Sequence, residues 1–84
     1  MKKRIFIVDD EEAIRFSLKN GLMDEGYDVS TCSTGKKAII EIGKQLPNLV
    51  LLDLRLPDCN GYEVLNKIKE RFPLVQVVIM TAYG

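Results

Sequence analysis

Three places in this 84-residue sequence put acidic or hydroxyl side chains directly behind short apolar runs. Asp9 and Asp10 follow Ile5 to Val8, Asp53 follows Leu49 to Leu52, and Thr81 follows Val75 to Met80. A bare carboxylate beside four apolar residues is costly unless something compensates it. Carboxylates brought together repel each other, and the usual remedies are a shared proton or a divalent cation. Magnesium is the better match, since it prefers oxygen ligands and keeps several waters. One or two carboxylates, a backbone carbonyl and waters would satisfy it, and a phosphoryl group could sit between metal and protein. The Thr81 hydroxyl could hydrogen-bond one phosphoryl oxygen. Each feature alone has a plainer reading. Asp53 could be a turn or N-cap aspartate, the acids after Val8 could simply start a helix, where the macrodipole favours them, and Thr81 could be structural. The argument rests on the conjunction.

The elements that would have to hold these residues can be read from periodicity. Ile5 to Val8 and Leu49 to Leu52 are continuous apolar runs, as expected of strands buried on both faces of a parallel sheet. Pro57 and the Asn60-Gly61 pair mark a loop after the second run, leaving Asp53 at a strand's carboxyl end, where ligands bind in open α/β sheets. Between about Glu12 and Glu25, Ile14, Leu18 and Leu22 recur every four positions, flanked by Ala13, Phe16 and Met23; Gly26 closes this amphipathic helix. Tyr27, Val29 and Thr31 alternate with Asp28, Ser30 and Cys32, the pattern of a half-exposed edge strand. A second helix, roughly Lys36 to Gln45, carries Ile39, Ile42 and Leu46 on one face and ends before Pro47. A third, about Tyr62 to Arg71, shows Leu65, Ile68 and Phe72, and Val75 to Met80 is a final β-branched strand. The β-α-β-α-β-α-β order predicts one α/β domain with a parallel sheet and right-handed crossovers.

Composition narrows the function. Twelve basic and twelve acidic side chains cancel, which gives no global reason to bind nucleic acid or an acidic membrane. No apolar run approaches the ~20 residues needed to span a bilayer. Met1-Lys2-Lys3-Arg4 precedes too few apolar residues for a signal peptide, so the N-terminus reads as native and cytoplasmic. There is no histidine, and Cys32 and Cys59 are isolated, which excludes a His-based nucleophile relay and a thiolate-rich zinc site. Both cysteines are expected to be free thiols in a reducing compartment.

Val8-Asp9-Asp10-Glu11, Asp53-x-x-Leu56-Pro57-x-x-x-Gly61 and Met80-Thr81-Ala82, in that order and spacing, resemble the receiver domain of two-component response regulators. The resemblance implies a doubly wound, flavodoxin-like sheet of order 2-1-3-4 and a phosphoacceptor, Asp53, loaded by a sensor histidine kinase. It implies Mg2+ held directly by Asp10 and Asp53 and by the backbone carbonyl of Arg55, with Asp9 acting largely through water. Thr81 would be the switch hydroxyl and the Ala82 amide a phosphoryl contact, while Pro57 and Gly61 would shape the loop. The ending Met-Thr-Ala-Tyr-Gly further resembles receivers of enhancer-binding transcription activators, implying an output domain that binds DNA.

Family members continue through a fourth helix, a fifth strand and a fifth helix, with a lysine that pairs with the phosphoryl group. Residues 1–84 therefore read as a receiver truncated after its fourth strand, and no lysine here stands at an equivalent strand end. Such a fragment would leave residues 75–80 as an uncovered apolar edge, a template for pairing with a second copy or for element exchange. Two other functions fit the same residues. A magnesium phosphohydrolase could use Asp53 as nucleophile, although such hydrolases need an acid/base carboxylate two residues later and Arg55 is there. A non-phosphorylated interaction module on the same fold is the other.

Overall fold

The computed structural model of the chain describes residues 2–80. The elements run β1 (Arg4–Val8), α1 (Glu12–Asp24), β2 (Asp28–Cys32), α2 (Gly35–Gln45), β3 (Leu49–Asp53), α3 (Gly61–Arg71) and β4 (Gln76–Met80). All four strands are parallel and lie in the order β2-β1-β3-β4. This is the predicted doubly wound arrangement, with boundaries that differ from the expected ones by at most one residue.

Side chains alternate across the sheet and so divide the core. Phe6, Val8, Val50 and Leu52 face α2 and α3, where Ala38, Ile42, Val64 and Ile68 complete a buried cluster. Ile5, Ile7 and Val29 face the other way, and Leu18 and Leu22 of α1 lie against them. Two helices cover the first face and one covers the second. This corrects the expectation that β3 is buried on both sides: Val50 and Leu52 are buried, whereas Leu49 and Leu51 are only half-buried. For the same reason α1 contains no fully buried residue, and Phe16 and Met23 are exposed.

The ends of the helices follow from local chemistry. Gly26, at φ +95°, occupies the left-handed position after α1. Its N–H donates to the Met23 carbonyl at 2.9 Å, and the Tyr27 N–H donates to that of Leu22 at 3.1 Å, a Schellman closure. Leu46, expected on the buried stripe of α2, is instead 60% exposed. Pro47 disfavours helical geometry in the residue before it, and Leu46 turns into the left-handed region at φ 46°, which ends the helix and swings its side chain off that face. Gly21 is a simpler case. It lies inside α1, and a Cβ built there meets no atom within 4 Å. Gly21→Ala is expected to raise stability by about 1 kcal/mol through helix propensity alone, read as a higher urea midpoint with an unchanged slope.

Candidate functional site

Strand register brings the acids together. Val8 pairs with Leu52, so the next residues along the two chains, Asp9 and Asp53, leave the sheet side by side. One carboxylate oxygen from each of Asp9, Asp10 and Asp53 lies within 4.8 Å of the others. Asp9 is 3% exposed, Asp53 half-buried and Asp10 exposed. Among the described residues no other charged side chain is buried as Asp9 is.

Two of the three acids are held in the same way. The Glu11 N–H donates to Asp9 Oδ1 at 2.8 Å, and the Arg55 N–H donates to Asp53 Oδ1 at 3.0 Å. Each is an aspartate accepting from the backbone two residues on, a local turn that fixes the carboxylate at the strand exit. Arg15, one turn into α1, donates from Nη1 to the Asp9 carbonyl at 2.7 Å and ties that exit to the helix.

Burial pushes the Asp9 carboxyl above its ordinary value, and the charges of Asp53, Asp10 and Glu11 push the same way, against the Glu11 N–H bond. The folded protein therefore binds the Asp9 proton more tightly than the unfolded chain does. The resulting stability is fully present below the ordinary value of 3.8 and is lost as pH rises through the raised folded value. In EDTA, Asp9→Asn should abolish this decline, measured as urea stability at stepped pH. Excess Mg2+ should reverse it in the wild type, because a cation favours the ionised carboxylates.

The loop after β3 is closed at its base. The Gly61 N–H donates to the Leu54 carbonyl at 2.9 Å, and Arg55 and Asn60 form an isolated antiparallel bridge. Asn60 Oδ1 then caps α3 by accepting from the Tyr62 N–H at 2.9 Å. Gly61 is buried where a side chain has no room, against the backbone of Asp53 and Leu54. Pro57 is exposed at the turn.

Two contacts gave little sign of themselves in the sequence. Arg15 reaches the Asp9 carbonyl, six residues earlier, from the first turn of α1. Asp58 accepts from the N–H groups of Gly35 and Lys36, at 2.8 and 3.0 Å, across 23 and 22 residues of sequence. Asp after Pro in a turn was the available signal, and it pointed to the turn rather than to α2. Thr81 and Ala82 lie outside the described residues; Met80 before them stands in register with Asp53. Cys32 and Cys59 are free thiols, both half-buried. No helix among the described residues is long and apolar enough to cross a membrane.

Three hard oxygen donors, one buried at a cost to its ionised form, make a donor set that fits a divalent cation such as Mg2+. The response regulator receiver domain family matches residues 5–84. Sporulation initiation phosphotransferase F of Bacillus subtilis is 39% identical over 84 residues, all of this chain and 68% of that protein. Regulatory protein LuxO of Vibrio cholerae is 41% identical over 78 residues, 93% of this chain but 17% of that protein. The response regulator TrrA of Thermotoga maritima, solved with Mg2+ and BeF, superposes with a TM-score of 0.93 at 36% identity, over 98% of this chain and 71% of that one. TrrA has also been solved in complex with the histidine kinase ThkA.

Proposed function

The chain belongs to the response regulator receiver domain family, and from that premise we propose that it is the phosphoacceptor module of a two-component relay, with Asp53 as acceptor. The observation that carries this reading is the convergence of Asp9, Asp10 and Asp53 at one sheet edge, with the Asp53 carboxylate fixed by the Arg55 N–H. A carboxylate oxygen of Asp53 attacks the phosphorus of a phosphohistidine on a sensor kinase. The P–N bond breaks, its electron pair returns to the imidazole nitrogen, and an aspartyl phosphate forms. Bound Mg2+ would neutralise charge on the phosphoryl oxygens. Asp10, Asp53 and the Arg55 carbonyl would hold it, with Asp9 through water.

Further along the chain, the Thr81 hydroxyl and the Ala82 amide receive the phosphoryl oxygens. What supports this is sequence order: they follow Met80, which is paired with Asp53. The kinase partner is supported by TrrA, a relative solved with one. A further regulatory domain is supported by regulatory protein LuxO, of which this chain matches only a small part; that it binds DNA rests on the resemblance of the Met80-Thr81-Ala82 ending to receivers of transcription activators. Self-association would use β4, one of the sheet's two edge strands among the described residues, where Val78 is 48% exposed.

The test is intact mass after incubation with acetyl phosphate and Mg2+. One phosphoryl adduct that EDTA prevents supports the reading. Catalytic turnover of a phosphate ester without an adduct would instead favour the phosphohydrolase.

A further inference from the structure

The loop from Leu54 to Gly61 is fixed at two separate places. Its base is closed by the Gly61–Leu54 hydrogen bond and the Arg55–Asn60 bridge. Its tip is fixed to another element altogether: the Asp58 carboxylate takes the first two N–H groups of α2, those of Gly35 and Lys36. The Thr34 hydroxyl takes the third, from Lys37 at 3.2 Å, and the Ala38 N–H goes to the Thr34 carbonyl. The first three N–H groups of α2 are thus all taken, two of them by a residue from outside the helix. The two elements also touch closely. A Cβ on buried Gly35 would collide with Cys59 Sγ and come within 2.9 Å of Val64 Cγ2. The hydrogen bonds hold the Asp58 carboxyl below its ordinary range, so the clamp is ionised at neutral pH.

We propose that Asp58 is a positioning residue for the metal site: by clamping the loop tip to α2 it sets the Arg55 carbonyl and couples α2 to metal binding. The inference rests on the reading that Arg55 offers its carbonyl to Mg2+. Arg55 and Asp58 are three residues apart, at most about 10 Å of chain. With the base bridged and the tip anchored, the segment between them has little freedom left. Release of the tip frees Arg55 on one side, while Asp53 stays on β3 and Asp9 and Asp10 stay at the exit of β1.

Mg2+ alone, titrated into the full chain by calorimetry and by amide NMR, separates this from a purely capping role. Asp58→Ala is expected to weaken Mg2+ binding about tenfold, the scale on which groups that orient a metal's ligands act. Asp58→Asn, which keeps one acceptor oxygen but not the charge, should fall between. Thr34→Ala removes the other cap from the same helix without touching the loop; it should lower stability while leaving the Mg2+ Kd at the wild-type value. In the wild type, the Gly35 and Lys36 amide resonances should shift along the same saturation curve as Arg55. Should Asp58→Ala fail to fold, Asp58→Asn and the wild-type amide shifts decide the question. An unchanged Kd in the folded Asp58 variants, or still Gly35 and Lys36 amides, overturns the inference and leaves the receiver reading standing. No saturable Mg2+ binding by the wild type would overturn both.

Discussion

Asp53→Asn is expected to eliminate the phosphoryl adduct completely and, in the same protein, to stabilise the metal-free fold by about 1 kcal/mol. The two effects have one origin. Asp53 stands beside a buried carboxylate, Asp9, and an exposed one, Asp10, with oxygens within 4.8 Å. Without a cation these charges oppose one another in a partly desolvated place. Removing one charge relieves the repulsion, and the amide oxygen still accepts the Arg55 N–H. On the proposed reading the variant lacks the attacking carboxylate oxygen, so acceptance should fall to background rather than by a factor. Mg2+ should stabilise the wild type substantially and the variant much less, since on the proposed reading the ion would lose a charged ligand. Urea unfolding in EDTA and in Mg2+, with intact mass after acetyl phosphate, reads all three. A variant that still carries one adduct would move the acceptor elsewhere and refute the assignment of Asp53.

Gly61→Ala should be the most damaging single methyl in the loop, with a loss of about 3 kcal/mol. The added Cβ would run into Leu54 Cα, lie 2.8 Å from the Asp53 carbonyl oxygen and 3.0 Å from the Leu54 carbonyl carbon. All three are backbone atoms, so no rotamer change can relieve the contact. The end of β3 or the start of α3 has to move. An 84-residue domain has roughly 4–13 kcal/mol in all, which makes this a large share. The shifted backbone is that of Asp53 and Leu54, so phosphoryl acceptance and Mg2+ affinity should fall together with stability. Wild-type unfolding and an undiminished adduct would show that the close approach is easily relaxed. Gly21→Ala, in open space on α1, provides the contrast within the same chain.

The apolar runs at Ile5, Leu49 and Val75, the alternation from Tyr27 to Cys32 and the helical stripes of Ile14, Leu18 and Leu22, of Ile39 and Ile42, and of Leu65 and Ile68 were enough to read the order of the elements, because each is a local pattern. Local chemistry also marked Gly26 as a helix end and Asp53 as a strand end. Burial was less legible. The Ile14, Leu18, Leu22 stripe describes a helix face, but how deeply it is buried depends on how many helices share that side of the sheet. Leu46 fitted the stripe of α2 by spacing, and the pull of Pro47 on its backbone took it off.

By itself the sequence determined that acids stand at the exits of apolar strands in a parallel βα fold, because composition and period are local properties. The tertiary structure decided which acids meet and in what environment. Pairing of Val8 with Leu52 brings Asp9 beside Asp53, and a register shift of one residue would have exchanged the buried and exposed carboxylates of Asp9 and Asp10. It also decided that Asp58 closes the amino end of α2. That bond joins residues 23 apart, and it exists only because the strand order places α2 and the loop after β3 on the same side of one sheet.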